Sequence, residues 1–260
     1  MKLARDTWLL FQRQFMLVLR NPVWLIVGII QPLYYLFLFG PLLKPALRPA
    51  LQAQGTPDPS SGDVYRFFVP GVLVQLAIFG TFFVGFALIS ELRAGVIERT
   101  RVTPVSRLAM LLGRSLRDVV TLLFQCALIT VLAIPLGLTA NLGNVLLAFA
   151  LLGLIALMLS SLSYATALKL RSEDALAPLL NTVGIPILLL SGILLPLQYA
   201  KGWLQHVAQF NPFSWATDGA RALFAGDPSN PNVWKALVIL GGLTVLSIYW
   251  AARSFAKSVR

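Results

Sequence analysis

The sequence predicts an all-α integral membrane protein, and three observations support that prediction. Of the 260 residues, 57% are hydrophobic and only 12% are charged, whereas soluble domains carry about 25% charged residues. Long runs without any charge recur along the chain, and basic residues flank these runs. This arrangement is typical of membrane topology. It excludes a water-soluble globule, and it argues against nucleic acid as a partner although the net charge is +11.

Six spans follow from the uncharged runs, because a membrane helix needs about 20 mostly apolar residues. The run over 119–168 is too long for one helix, and Pro135-Leu136-Gly137 divides it at a tight turn. We expect the first run to remain as a span, since it is too long for a signal peptide and lacks a cleavage site. The predicted spans cover approximately 22–43, 67–90, 114–136, 143–168, 175–195 and 234–252.

The distribution of Lys and Arg predicts the orientation of these spans. If the N-terminus lies inside, the inner segments hold 15 of the 21 basic residues. Both termini are then cytoplasmic, as an even number of spans requires. The inner segments are 1–20, 91–118, 169–174 and 253–260.

Residues 1–20 form an amphipathic pattern before the first span. One helical face is apolar and the opposite face carries charge, which predicts a helix lying in the inner membrane interface. Asn21-Pro22 then ends this helix and starts the span. The apolar face consists of Trp8, Phe11, Phe15, Val18 and Leu19, and the charged face of Asp6, Arg13 and Arg20.

Two segments are expected on the outer side. Residues 44–66 contain several Pro and Gly residues and predict an irregular loop. Residues 196–232 are semi-apolar, and their helical stretches are too short to span the membrane. Such broken helices survive at membrane depth only when they pack against protein or line a cavity. Asp218 and Arg221 are three residues apart and can pair on one helical face.

Several kinds of chemistry have no support in the sequence. The only cysteine, Cys126, lies in an apolar run, and His206 is the only histidine. A P-loop needs Lys after Gly, and no Lys follows a Gly here. The span interiors are expected to lack acids and bases, which disfavours an ion-coupled carrier. A passive pore, a scaffold, or a transporter driven from outside the membrane remain.

The loop over 91–107 is the most charged segment between two spans. Residues 97–102 could form one or two helical turns that Thr103-Pro104 ends. Glu98, Arg99 and Arg101 would then be available to a soluble partner. The alternative is a solvated loop that only follows the positive-inside rule, and spacing alone does not separate the two.

The same loop carries a family resemblance. The sequence Val96-Ile97-Glu98-Arg99-Thr100-Arg101-Val102-Thr103-Pro104-Val105-Ser106-Arg107 resembles the loop of ABC type-2 exporter permeases, a group that includes daunorubicin-resistance and nodulation-factor permeases. Asn211-Pro212, Asp218-Gly219-Ala220-Arg221 and Gly226 resemble the outer segment of the same family. The resemblance covers nearly the whole chain and implies one transmembrane domain over 1–260. The first outside loop is short, so the large outer domain of some relatives is absent.

The resemblance implies roles for three groups of residues. The 91–107 segment would be a cytoplasmic coupling helix that contacts the ATPase. The 1–20 helix would also contact the ATPase. Residues 196–232 would form re-entrant helices that cap the exit. The coupling residues are Arg93, Glu98, Arg99, Thr100, Arg101, Thr103 and Pro104; the interface residues are Arg5, Trp8, Phe11 and Arg13; the outer residues are Asn211, Pro212, Asp218 and Arg221.

The resemblance also implies the partners. Two separate ABC ATPase subunits would bind ATP and Mg²⁺, and this chain would bind no cofactor and catalyse no reaction. A second permease copy, expected to be identical, would complete the pathway. The complex would lie in the bacterial cytoplasmic membrane.

The second and fifth spans contain the candidate substrate pathway. Four aromatic residues share a helical face of the second span, and two polar residues interrupt the fifth. The alternative is that the aromatic residues face lipid or pack inside the chain. The resemblance places both spans at the interface between the two permease copies. The candidate residues are Gln75, Phe79, Phe82, Phe83, Phe86, Asn181 and Thr182.

Taken with the resemblance, these features predict a permease that exports hydrophobic or amphiphilic, drug-like molecules by alternating access. Export of lipids or lipid-linked glycans by the same fold is one alternative. A membrane scaffold that binds a soluble partner through 91–107 is another. A membrane enzyme is disfavoured because no catalytic set is recognisable.

Overall fold

A computed structural model describes residues 2–21, 23–42, 60–95, 106–193 and 202–258, together with the single positions 45 and 52. These residues form ten α-helices, and no strand occurs among them. A π-helical turn, Tyr35–Phe39, follows the second helix. The helices are α1 (Lys2–Arg20), α2 (Val23–Tyr34), α3 (Ser61–Phe82), α4 (Gly85–Arg93), α5 (Arg107–Ala133), α6 (Leu142–Leu170), α7 (Glu173–Leu189), α8 (Gly202–Ala208), α9 (Pro212–Ala225) and α10 (Pro231–Ser258).

Four helical segments of the described chain are long and apolar enough to cross a membrane. They correspond to the second, third, fourth and sixth predicted spans, and they confirm an all-helical membrane protein. The first predicted span corresponds to α2 and its continuation, and the fifth to α7, which has 17 residues. The total of six spans stays a prediction. The four segments are Gly62–Arg93, Arg107–Leu136, Leu142–Leu170 and Pro231–Phe255.

The predicted turn in the run 119–168 is present. Pro135 lies in a 3₁₀ turn after α5, and Gly137 has a φ of 108°, a left-handed conformation that glycine adopts without strain. Asn141 then caps α6, because its side-chain oxygen accepts a hydrogen bond from Gly143 N at 2.9 Å. Local turn chemistry therefore divides the run into two antiparallel helices.

The second span begins earlier than predicted, at residue 61 rather than 67. Ser60 and Asp63 form a capping box, in which Ser60 N donates to the Asp63 carboxylate at 2.9 Å and Ser60 Oγ accepts from Asp63 N at 3.3 Å. Arg66 Nε donates to Thr139 O at 2.9 Å and ties this end of α3 to the α5–α6 turn. Polar residues thus extend the helix beyond its uncharged part.

The same span is also interrupted, a feature that was not predicted. α3 ends at Phe82, and α4 begins at Gly85. Ser163 of α6 stabilises the interruption: its Oγ donates to Phe82 O at 2.6 Å and accepts from Gly85 N at 2.9 Å. Gly85 is required there, since a Cβ would lie 2.8 Å from Ser163 O. A single side chain thus satisfies two backbone groups that the break leaves without helical partners.

α6 lies at the centre of the bundle and packs against α3, α5 and α10. α9 packs against α3, α6 and α10, and α1 packs mainly against α5. Because successive long helices alternate in direction, Arg66 and the α5–α6 turn lie at one end of the bundle and Glu91 and Lys169 at the other. We name these the α9 end and the α1 end.

Candidate functional site

The predicted coupling segment lies mostly outside the described residues. Glu98, Arg99, Thr100, Arg101, Thr103 and Pro104 all fall within 96–105, so their roles stay predictions. The structure does describe both ends of this segment. α4 leads into it through Gly95, which has a φ of 67°. α5 follows it, with Ser106 as N-cap whose Oγ accepts from Ala109 N at 3.1 Å.

Ion pairs attach α4, the helix that leads into residues 96–105, to α7 and α5. Arg93, a predicted coupling residue, pairs with Glu173 of α7 at 3.2 Å between Nη1 and Oε1. Two residues earlier, Glu91 pairs with Arg114 of α5, whose side chain is buried. The exposed Arg93 pair is expected to contribute little to stability. The Glu91–Arg114 pair joins the two helices on either side of the 96–105 segment.

A buried polar cluster continues from this pair towards the core. Asp118 of α5 accepts from Arg117 Nε at 3.0 Å and Nη2 at 2.5 Å, and from the Tyr164 hydroxyl of α6 at 2.5 Å. The side-chain oxygen of Gln14 in α1 accepts a further hydrogen bond from Arg117, whose Nη1 lies 3.4 Å away. We name Gln14, Glu91, Arg114, Arg117, Asp118 and Tyr164 the α1-end cluster. It links α1, α4, α5 and α6.

The burial of Arg114 and Asp118 was not predicted, although both lie in the predicted inner segment 91–118. Together with Arg117 they lie at the α1 end of the apolar helical segment Arg107–Leu136. The expectation that span interiors contain no acid or base stays a prediction, because these residues precede the uncharged run that begins at residue 119. The spacing of 114, 117 and 118 on one helical face was the signal that could have shown the cluster.

The N-terminal helix is present as predicted, but its apolar residues divide between two surroundings. Phe11 is buried against the bundle, and α1 approaches α5 closely at Gly113, where a Cβ would lie 3.1 Å from Thr7 O. Trp8 remains 54% exposed although its ring lies 5.2 Å from that of Phe11. The predicted interface residues Arg5 and Arg13 are exposed. α1 is therefore a packed part of the bundle with an exposed apolar edge.

The aromatic residues of the second span form one stacked group at the helix interruption. Phe83 stacks with Phe79 at 6.1 Å and with Phe86 at 6.0 Å between ring centroids. Phe82 meets Phe83 edge to face at 6.1 Å. Phe82 is buried, and the other three are partly buried. Gln75, one turn further into the core, is buried, and its Oε1 has no hydrogen-bond partner among the described residues.

α7 lies beside this aromatic group, and only one side of this helix is buried against the bundle. Leu176, Leu180 and Gly184 face the bundle, and a Cβ on Gly184 would lie 3.3 Å from the Phe82 ring. Asn181 and Thr182 lie on the opposite, exposed side. The structure thus brings the two halves of the predicted pathway together through Phe82 and Gly184, while the polar pair points away from the chain's own core.

At the α9 end, Asn211 and Pro212 start α9. Asn211 Oδ1 accepts from Phe213 N at 3.1 Å as an N-cap, and Pro212 occupies the first helical position, where no backbone donor is needed. The Asn211 amide also donates to Ile187 O of α7 at 3.0 Å. Asn211 therefore both begins α9 and attaches it to α7.

Arg221 makes the second attachment of α9. Its Nε donates to Phe67 O at 3.2 Å, and its Nη2 donates to Gly192 O at 2.9 Å and to Ile193 O at 3.2 Å. The guanidinium also lies 3.9 Å from the centroid of the Phe67 ring. One side chain thus binds α3 and the chain that follows α7.

The pairing predicted for Asp218 and Arg221 is present at 3.7 Å between Oδ1 and Nη1. The Arg221 side chain is largely buried, whereas that of Asp218 is half exposed. Burial lowers the pKa of Arg221 to about 10, and the Asp218 carboxylate opposes this shift. Arg221 therefore stays protonated at neutral pH, and the backbone oxygens rather than Asp218 are its closest partners.

Comparisons with known proteins agree with this architecture. A sequence profile of the ABC-2 type transporter family matches residues 5–225. The chain is 30% identical to the putative transport permease ycf38 of Porphyra purpurea over 85% of this chain and 74% of that protein. It is 29% identical to the daunorubicin resistance ABC transporter permease protein DrrB1 of Streptomyces coeruleorubidus, over 86% and 77% respectively. It is 20% identical to the probable multidrug ABC transporter permease YbhR of Escherichia coli K12, over 79% and 60%.

The family match covers most of the chain, from the amphipathic α1 to the end of α9. Members of this family are transport permease subunits that normally pair with ABC ATPase subunits and are generally not themselves catalytic. The helical bundle, its apolar helices and the matched sequence are consistent with one another. The chain therefore belongs to the ABC-2 type transporter family.

Proposed function

We propose that this chain exports hydrophobic or amphiphilic, drug-like molecules by alternating access, driven by two separate ATPase subunits that bind ATP and Mg²⁺. The observation that carries the proposal is that ion pairs and hydrogen bonds at the α1 end join the helices that flank the predicted coupling segment to one another and to α6. Glu91 and Arg114 join its two flanking helices, and Asp118 and Tyr164 extend the contact to α6. A displacement of residues 96–105 by a soluble partner would therefore move several helices together.

In this proposal the α1 end faces the bacterial cytoplasm, and both termini lie there. The predicted coupling residues, with Arg5, Trp8, Phe11 and Arg13 of α1, would contact the ATPase. The distribution of basic residues supports this orientation. The alternative of a scaffold needs only the binding of a partner and would not use the buried contacts that continue into α6.

The second half of the pathway would come from a second copy of this permease. Asn181 and Thr182 are exposed on a largely apolar helix, and exposed polar groups are unfavourable in lipid. A facing copy or a water-filled pathway would remove this cost, and polar side chains commonly lie at such helix interfaces. The apolar residues Leu179, Val183 and Ile185 on the same helix are exposed as well.

The names of two relatives support drug-like substrates, because one refers to daunorubicin resistance and another to multidrug transport. The stacked Phe79, Phe83 and Phe86 would suit the apolar part of such molecules. Lipid or lipid-linked glycan export by the same fold is the second candidate, which the exposed apolar surface of α7 would equally serve. Asn211, Pro212, Asp218 and Arg221 would keep the α9 end in place as the exit cap.

The first test is the coupling itself. Glu98→Ala or Arg99→Ala is expected to leave the complex assembled but to separate ATP hydrolysis from export, because these charges would contact the ATPase. The tagged chain is purified in mild detergent, bound proteins are identified by mass spectrometry, and ATPase activity and export are measured together. Lys235→Ala, at the α9 end of α10, serves as the control. Absence of any bound ATPase, or normal export by the Glu98 and Arg99 variants, would contradict the proposal.

A second prediction concerns the aromatic group. Phe79→Ala or Phe83→Ala is expected to change the relative export of several substrates while assembly is retained, because partly buried rings would shape the pathway wall. Phe124→Ala is the matched control, since Phe124 is 57% exposed on α5 away from this group. Transport is measured for a panel of amphiphiles of different size. An unchanged substrate profile in both variants would assign these rings to packing.

A further inference from the structure

Two basic and two aromatic side chains lie together at the α1 end of α6 and α10. Lys169, in the last turn of α6, places its Nζ 4.8 Å from the centroid of the Trp250 ring of α10. Arg253, one turn after Tyr249 on α10, has its guanidinium 5.7 Å from the Tyr249 ring. We name Lys169, Tyr249, Trp250 and Arg253 the basic–aromatic patch. It plays no part in the proposed coupling or substrate pathway.

The patch lies at the end of an exposed apolar stripe on α10. Val238, Val245, Leu246 and Tyr249 are each more than 60% exposed, and their spacing places them along one side of the helix. Arg253 is exposed and continues this side by one more turn. A helix of a membrane protein exposes such a stripe to lipid tails, so the patch lies at the level where the tails end and the headgroups begin.

The two helices that carry the patch contain no acidic residue to balance its positive charge. Residues 142–170 and 231–258, which make up α6 and α10, contain no Asp or Glu. Other cations at the same end are paired: Arg93 with Glu173, Arg114 with Glu91, and Arg117 with Asp118. Among the described residues, Lys169 and Arg253 form no ion pair, and aromatic rings are their recorded partners.

We propose that this patch binds the phosphate headgroup of an anionic phospholipid. Lys169 and Arg253 would contact the phosphate oxygens, since both are donors to phosphate and the guanidinium can bind two oxygens at once. Tyr249 and Trp250 would lie at the headgroup level, as aromatic residues commonly do. The acyl chains would lie along Val245 and Leu246.

A lipid fits this patch better than the acidic surface of a soluble protein. Exposed apolar side chains lie beside the cations, namely Leu246 and Tyr249 on α10 and Leu170 on α6. A soluble partner would have to cover these groups within the depth of the bilayer. Basic sites between helices at one membrane face are typical of anionic lipid headgroups. The proposal depends on the membrane location and on neither the substrate nor the ATPase.

Native mass spectrometry of the full chain can test this, with phosphatidylglycerol and phosphatidylcholine of identical acyl chains added in turn. We expect retained phosphatidylglycerol to exceed phosphatidylcholine, and Lys169→Gln or Arg253→Gln to weaken that retention about fivefold each. Lys235→Gln removes one charge from the opposite end of α10 and should leave retention unchanged. Glycerol 3-phosphate should compete weakly, because it lacks the acyl chains.

Four outcomes would overturn the proposal. They are equal retention of the two lipids by the unmodified chain, equal loss in Arg253→Gln and Lys235→Gln, competition by glycerol 3-phosphate as strong as by the lipid, and unchanged lipid retention in both Lys169→Gln and Arg253→Gln. Lys169→Arg and a salt titration of the unmodified chain provide a check that does not depend on folding of the Gln variants. Lipid retention should persist in Lys169→Arg. In the unmodified chain it should fall as the salt concentration rises.

Discussion

Replacement of Asp118 by alanine is expected to destabilise the protein by about 3–5 kcal/mol, the range for removal of one partner from a buried ion pair. Asp118 accepts hydrogen bonds from Arg117 and from Tyr164, and all three side chains are largely buried. Without the carboxylate, the Arg117 charge remains in the bundle and keeps hydrogen bonds only to the neutral oxygens of Gln14 and Tyr164. Thermal unfolding of the purified chain in detergent, followed by size-exclusion chromatography, measures the effect.

Two further variants make this result specific. Asp174→Ala removes an exposed carboxylate from the first turn of α7 and should cost less than about 1 kcal/mol. Asp118→Ala combined with Arg117→Met should recover part of the lost stability, because the unpaired charge is removed as well. If the Asp118→Ala and Asp174→Ala proteins unfold at the same temperature, the cluster does not hold the helices together.

Replacement of Arg221 by methionine is the second change expected to have a large effect, about 3–5 kcal/mol, because it removes several hydrogen bonds from a charged donor to carbonyl groups. The variant keeps an apolar side chain of similar length but removes the donors to Phe67 O, Gly192 O and Ile193 O. Buried carbonyl groups without partners are unfavourable, and hydrogen bonds from charged donors contribute more than neutral ones. We expect α9 to lose its attachment, so that limited proteolysis cleaves within 202–232 much faster than in the unmodified chain.

Asp218→Asn is the control for Arg221, because it removes the neighbouring charge and leaves the backbone contacts intact. Its effect should be small, since the Asp218 side chain is half exposed and lies 3.7 Å from Arg221. Arg221→Lys should be intermediate, because one ammonium group cannot reproduce the planar set of donors. Equal proteolysis of the Arg221→Met and Asp218→Asn proteins would mean that the ion pair, and not the backbone contacts, holds α9.

Features that depend on neighbouring residues in the sequence were predictable. The turn at Pro135-Leu136-Gly137 and the start of α9 at Asn211-Pro212 both follow from the chemistry of adjacent residues. The same holds for the Asp218–Arg221 pair, because three residues bring two side chains together on any helix. The composition alone was enough for the fold class.

Features that depend on distant residues were not predictable. The interruption after Phe82 is stabilised by Ser163, which is 81 residues away in the chain. Gly80 and Gly85 lie nearby, but an isolated glycine does not by itself end a helix, and α6 continues through Gly153. The α1-end cluster was missed because the absence of charge was used to define the spans, although a buried helix can include charges that are paired elsewhere. The roles of Glu98 and Arg99 stay predictions, since they lie outside the described residues.

The attachment of α9 has a consequence for how such a permease can diversify. Asn211 and Arg221 donate to main-chain oxygens of residues 67, 187, 192 and 193. A main-chain oxygen is present whatever side chain a residue carries, so substitutions in α7 can alter its exposed surface without releasing α9. If α7 lines the proposed pathway, we expect that exchange of its exposed side chains between relatives will change transport selectivity and leave the attachment of α9 unaltered.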